Sequence, residues 1–429
     1  MNNVGSSDNS ALTTKVGRRL EKIGSADIIV GIPSYRSGRT IAEVIDAVMR
    51  GIATYLPGWR VVLVNADGGS SDNTTEQIAE VHAPPNVEKL LYVYRGQIGK
   101  GMAIHSIFEI AAWLHARACV IIEAHAPGIV PEWIPALVNP VLAGDDLTMG
   151  CYQRSSYGAA LGDNLVYPFL RAFFNADVRE PLASEFCVSG ELAADLLACD
   201  VWETDVARFG VNVWIGIQAL AENRRISQVD LGYRGESGTE PGTPLDARFL
   251  HAIGTMFRLL TTHRRLWEKA PIGKHIPFEG GRCQQNKPIP CQDCLGALVG
   301  AMRDGQERYG EEWKKTLSPE TLQGVLALFE QPLENFDFPI DLWTRVVLEL
   351  AVLHNKGEGD PDKVVRSLLP LFYGRAGAYV RQTQTLTPAE REMVVEQIVQ
   401  AFADAKPLFL AKWNAYQSWL TENSTYWLR

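Results

Sequence analysis

Positive charge is in short supply: 41 Lys and Arg stand against 50 Asp and Glu over 429 residues, a net charge of −9. A surface of that sign repels phosphate backbones, which argues against nucleic acid as the main partner. No apolar run approaches the roughly 20 residues that a membrane helix needs, so no membrane span is expected. No charged-then-apolar leader opens the chain, and the expected location is the cytoplasm. Asn73-Thr74-Thr75 and Asn423-Ser424-Thr425 match the glycosylation sequon, which carries little weight without a secretory signal. No internal repeat is present.

Cysteine is also sparse, at seven residues. Cys119, Cys151, Cys187 and Cys199 lie in apolar contexts and read as reduced core thiols. Cys283, Cys291 and Cys294 form a C-x₇-C-x₂-C cluster in a Pro- and Gly-rich stretch. A zinc site there needs a fourth ligand, for which His263 and His275 are candidates. Without a second CxxC, the plainer reading is that the pair opens the helix Leu295-Gly296-Ala297-Leu298-Val299.

What is present describes a globular protein of two or three domains, 46% hydrophobic and 21% charged. Residues 1–24 start polar, continue as a short basic helix and read as a loose N-terminal arm. From Asp27 strands alternate with helical segments. Ile28–Pro33, Trp59–Asn65, Lys89–Tyr94 and the run ending at Ile122 are the strands. Arg39 to about Tyr55, the segment after Asp72, and Gly101 to about His115 are the helices. Such alternation indicates βαβ units and a mostly parallel sheet, with ligands at the carboxyl ends of the strands. After about Thr262 the period becomes helical throughout. Thr387-Pro388-Ala389-Glu390 is a capping box with proline at the first helical position. Phe409, Trp413, Tyr416 and Leu420 share one helical face and read as packing. The expected division is an arm (1–24), an α/β domain (25–265), a linker (266–290) and an all-helical C-terminal domain (291–429).

Three loops mark a ligand site. Ile32-Pro33-Ser34-Tyr35 ends the first strand and Asp67-Gly68-Gly69-Ser70-Ser71-Asp72 follows the second; Gly99-Lys100-Gly101 precedes a helix. Alone, the second loop is a turn with glycines suited to positive φ and Asp72 as a helix N-cap. Together the loops suit a nucleotide sugar, a loop carboxylate accepting from base or ribose and Lys100 neutralising diphosphate beside a helix N-terminus.

Their order and spacing resemble the GT-A-fold glycosyltransferases, and within them the retaining mannosylglycerate, glucosylglycerate and glucosyl-3-phosphoglycerate synthases. The resemblance extends through Pro131-Glu132-Trp133-Ile134, Pro181-Leu182-Ala183-Ser184-Glu185, Phe209-Gly210-Val211-Asn212 and Leu231 to Phe257, about residues 25–260. It implies a Rossmann-like nucleotide-sugar domain with Pro33, Ser34, Asp67, Lys100 and Gly101 at the donor. Arg154, Ala183, Ser184, Arg208 and Asn212 would lie at the acceptor, and Glu185 and Arg154 at the chemistry.

The chain departs from that pattern where the family binds metal. Asp-x-Asp reads Glu123-Ala124-His125, and the later metal-binding histidine falls at Glu236. The Gly-Gly of the Pro-Leu-Gly-Gly-Glu loop reads Ala183-Ser184, and an acceptor-binding aspartate reads Asn212. One account exchanges the ligand types, so that Glu123, His125 and Glu236 hold manganese or another divalent metal. The other removes the metal and leaves Lys100 and nearby arginines to balance the diphosphate. Singly, His125 and Glu236 read as ordinary loop side chains. The expected function is a hexosyltransferase moving glucose or mannose from a nucleotide sugar to a small, anionic, glycerate-like acid. The alternative is a catalytically silent relative that binds nucleotide or a partner protein. The helical domain is left with two roles, a homodimer interface or a cap over the acceptor pocket.

Overall fold

In a computed structural model the described residues are 10–234, 246–269, 276–279, 294–357 and 359–416. They form two compact units. The first, residues 1–153, 180–237 and 276–283, is α/β. Its eight strands are β1 (Ile28–Ser34), β2 (Val61–Asp67), β3 (Val87–Val93), β4 (Ala118–Ile121), β5 (Leu147–Gln153), β6 (Phe186–Ser189), β7 (Ile226–Tyr233) and β8 (Phe278–Glu279). They form one sheet in the order β3-β2-β1-β4-β6-β5-β7-β8. All pairings are parallel except those of β6, which runs antiparallel to β4 and β5.

The helices of this unit are α1 (Thr14–Ile23), α2 (Ile41–Tyr55), α3 (Thr74–Glu80), α4 (Lys100–Trp113) and α5 (Trp133–Ala143), then α8 (Gly190–Leu197) and α9 (Val211–Ala221). β1 and β2 are buried along their whole length, as continuous apolar strands covered on both faces should be. Val44, Val48 and Ile52 of α2 and Ile134 and Val138 of α5 pack in one core with Ile28, Val30 and Ile32. Each such side chain contributes about 1.5–3 kcal/mol by leaving water.

From β1 the chain steps outward to β2 and β3, then returns to lay β4 on the other side of β1. The carboxyl ends of β1 and β4 therefore flank the switch point of the sheet, where open α/β folds place their ligands. Thr40 Oγ1 donates to the Ala124 carbonyl at 2.8 Å and ties the loops after these two strands together.

The second unit comprises residues 154–179, 238–275 and 284–429, and its described residues are helical. It holds α6 (Ser156–Leu161), α7 (Tyr167–Phe174), α10 (Asp246–Thr262), α11 (Arg264–Lys269) and α12 (Cys294–Thr316). α13 (Pro319–Phe329), α14 (Ile340–Lys356), α15 (Pro361–Thr383) and α16 (Pro388–Ala415) complete it. Phe173, Trp267, Phe409 and Trp413 stack edge to face with centroids 4.9–5.8 Å apart, so Phe409 and Trp413 of the aromatic stripe are packing residues. A π-helical turn over Gly162–Val166 carries the buried Asp163 and Asn164. Asp163 pairs with Arg179 at 2.7 Å and accepts from the Tyr379 hydroxyl at 2.5 Å, and Asn164 Oδ1 accepts from Arg375 at 2.9 Å. The capping box at Thr387 and Glu390 forms as expected.

Two differences from the expected division follow from packing. The arm is not loose over residues 10–24: α1 buries Val16 and Leu20 one turn apart, and Ala11 and Leu12 are buried ahead of it. The helical unit also begins earlier than expected, taking in 154–179, because Phe169 and Phe173 join the rings of Phe257, Phe402 and Phe409. Periodicity reveals that a helix has an apolar face, not which core that face joins. Among the described residues no helix is long and apolar enough to cross a membrane.

Candidate functional site

The loop after β2 is built around Asp67, which is buried at the strand end. Its Oδ1 accepts from the Gly69 and Ser70 amides at 3.0 and 2.7 Å. Its Oδ2 accepts from the hydroxyls of Ser34 at 3.0 Å and Ser70 at 2.6 Å. Four donors fill the acceptor sites of one carboxylate, so Asp67 organises the loop. Pro33 and Ser34 lie in register with Ala66 and Asp67. Gly68 packs beneath Tyr35 and Ile98, which are 47% and 59% exposed. Tyr35 follows β1, and Ile98 lies in the loop between β3 and α4.

Gly99 and Gly101 serve a close approach. A Cβ at Gly101 would lie 1.8 Å from the Val206 carbonyl oxygen, and one at Gly99 would lie 2.4 Å from that of Ala207. Gly101 N–H donates to the Arg208 carbonyl at 3.0 Å. The segment carrying Arg208 is thereby held against the start of α4. With its amide oxygen turned to the guanidinium, Gln97 accepts from Arg208 Nε at 3.1 Å.

At the switch point the site becomes ionic. Lys100 Nζ donates to Glu123 Oε1 at 2.6 Å, and Arg234 Nη2 donates to Glu123 Oε2 at 2.8 Å. Arg234 Nη1 pairs with Glu185 Oε2, which also accepts from the Tyr152 hydroxyl. The guanidinium lies 5.0 Å from the centroid of the Tyr152 ring and reaches the His125 carbonyl at 3.3 Å. Side-chain exposure is greatest at Glu123, 23%, and lower at its neighbours: 8% for Lys100, 4% for Arg234 and none for Glu185. Burial works against the Arg234 charge, but Glu185, Tyr152 and Glu123 outweigh it and hold its pKa above the ordinary value. Glu185 Oε1 is buried and has no hydrogen-bond partner among the described residues, a costly state that marks a place for a donor.

The remaining acceptor-side residues do not share one loop. Ala183 is buried, with its N–H on the Glu180 carbonyl at 2.9 Å, and Ser184 beside it is half-buried. Asn212 Nδ2 donates to the Leu182 carbonyl at 3.2 Å, while its buried Oδ1 has no partner. Arg154 belongs to the helical unit, where its carbonyl accepts from Arg391 at 3.0 Å.

Of the expected metal ligands, Glu123 does not fit a divalent cation as it stands. Both Glu123 oxygens already face cations, and like unit charges 4 Å apart repel by about 4 kcal/mol at the dielectric typical of protein sites. Half-buried His125 contributes its carbonyl to Arg234, and Glu236 lies outside the described residues. Among the described residues no three His, Cys, Asp or Glu side chains gather to hold a metal ion. Of the zinc candidates Cys294 is disulfide-bonded, and Cys283, Cys291 and His275 lie outside the described residues.

Arg234 and Tyr152 are the residues that sequence reasoning passed over. Arg234 stands within the stretch Leu231 to Phe257, and Tyr152 two residues before Arg154. The available signal was an arginine closing an apolar strand, a charge that has to find a partner.

No protein-family model matches the chain, and no curated protein matches it. Similar solved structures include glucosyl-3-phosphoglycerate synthase from Mycobacterium tuberculosis in complex with Mg2+ and uridine-diphosphate. That match has 21% identity and a TM-score of 0.41, covering 59% of this chain and 84% of that one. The same enzyme with Mn2+, uridine-diphosphate and glucosyl-3-phosphoglycerate is 21% identical with a TM-score of 0.42, over 65% and 90% of the two chains. At these identities and TM-scores the likeness carries no conclusion about activity.

Proposed function

We propose that this protein is a retaining glycosyltransferase that moves glucose or mannose from a nucleotide sugar to a small hydroxylated acid related to glycerate. The observation that carries the reading is the convergence of Lys100 and Arg234 on Glu123 at the sheet's switch point, beside the donor-type loops at Ser34, Asp67 and Gly99. The base lies against Tyr35 and Ile98, and the diphosphate lies toward Lys100. The bond from the sugar's anomeric carbon to the diphosphate breaks, and the acceptor hydroxyl oxygen forms the new bond to that carbon. The hydroxyl proton passes to the departing diphosphate. No side chain in this scheme forms a covalent intermediate, so rate comes from positioning and from stabilising the leaving group. Glu185 Oε1, buried without a donor, accepts from a substrate hydroxyl. Ala183, Ser184, Arg208 and Asn212 serve the acceptor side.

A second reading is a silent relative that binds nucleotide without turnover. It is favoured by the way Asp67 already spends its acceptors on its own neighbours. The deciding experiment incubates the full chain with UDP-, GDP- and ADP-glucose and GDP-mannose, each with glycerate or 3-phosphoglycerate, with and without Mn2+. Release of nucleoside diphosphate matched by a new glycoside supports transfer. Nucleotide binding without release under every condition selects the silent reading.

A further inference from the structure

Resting on that donor-site reading, we infer that Lys100 and Arg234 together do the work of a divalent cation, so that the site binds a nucleoside diphosphate without metal. The two cations arrive from separate elements, Lys100 from the first residue of α4 and Arg234 from just beyond β7. They meet at one carboxylate at the carboxyl end of β4. Of the four charged groups in the chain Lys100–Glu123–Arg234–Glu185, two are positive and two negative, so the cluster is neutral by itself.

The groups differ in how firmly they are held. Glu185 is fully enclosed and bound to Arg234 and Tyr152. Glu123 is the most exposed of the four side chains, and it is an anion that both cations share. Glu123 therefore stands in for an incoming phosphate: it keeps two desolvated cations paired while the site is empty and gives way when a diphosphate oxygen takes its place. A carboxylate used in this way is unavailable as a metal ligand, and a metal bound to it would face both cations at close range. Arginine and lysine are suited to the substitution, because guanidinium offers a planar fork and ammonium a compact point charge to phosphate oxygens.

The test is calorimetric titration of UDP, GDP, ADP and inorganic diphosphate into the full chain after EDTA treatment, with and without added Mn2+, on the natural protein and two variants. A nucleoside diphosphate binds without metal, and Mn2+ changes its Kd by less than about threefold, since the cations are already in place. Lys100→Gln weakens metal-free binding by about tenfold or more, the loss of one charge-assisted contact. Glu123→Gln removes the internal competitor and tightens metal-free binding severalfold; its partly exposed position keeps it informative even if Lys100→Gln does not fold. Binding that depends on Mn2+ and is abolished by Glu123→Gln overturns the inference and leaves the donor site standing. Failure of every probe to bind, with or without metal, overturns the donor-site reading as well.

Discussion

Replacing Arg234 with methionine isolates the ionic core of the site. The guanidinium is 4% exposed and bridges Glu185 and Glu123, so methionine keeps much of the volume and removes the charge. Glu185 is left inside the protein with the Tyr152 hydroxyl on one oxygen and nothing on the other. Removing one partner of a buried pair costs about 3–5 kcal/mol. The lost contact with the Tyr152 ring is part of that cost. For a unit of about 200 residues this lowers the melting temperature by about 6–20 °C. Differential scanning calorimetry is the assay, because two compact units need not melt as one transition. Adding Glu185→Gln to Arg234→Met removes the stranded charge, so the double variant is more stable than the single by about 1–3 kcal/mol. If Arg234→Met costs less than about 1 kcal/mol, or Glu185→Gln worsens the loss, the buried pair does not carry the load assigned to it.

Gly101→Ala places a methyl group 1.8 Å from the Val206 carbonyl oxygen, so the 206–208 segment has to move. Destabilisation of about 1–3 kcal/mol with weakened nucleotide binding is expected by urea titration and calorimetry; an unchanged protein refutes the close approach. A third prediction concerns the N-terminal segment. Burial pushes the Glu109 carboxyl up, but the His105 ring 3.0 Å away and hydrogen bonds from the Ser10 hydroxyl and the Ala11 N–H outweigh it and hold its pKa below the ordinary glutamate value. A depressed folded pKa means the tether is fully present above the unfolded value and is lost as pH falls through the folded one. Hydrogen exchange over Thr14–Ile23 is therefore slow at pH 6 and accelerates only once the pH has fallen below the ordinary glutamate range; exchange that is indifferent to acid refutes the tether.

Local order was legible because it depends on neighbours in sequence. The strand runs at Ile28, Val61, Val87 and Ala118, the helices that alternate with them, and the capping box at Thr387 each follow from period and cap chemistry. The loops at Ser34, Asp67 and Gly99 could likewise be named as strand-end features, since βαβ alternation alone sends them to one edge of a parallel sheet. Partnership was not legible. That Asp67 spends its acceptors on Ser34, Gly69 and Ser70, and that Glu123 is met by Lys100 and Arg234, depends on strand order. The insertion of β6 and β5 between β4 and β7 decides what a residue at 234 faces. For the same reason the segment 154–179 joined the helical unit: an aromatic face at Phe169 and Phe173 is equally compatible with either core until packing selects one. Sequence determined which residue types were available at each strand end, because backbone propensity and periodicity are local. Tertiary structure alone decided which charges would neutralise one another, because a buried ion's partner is set by the fold that removes both from water.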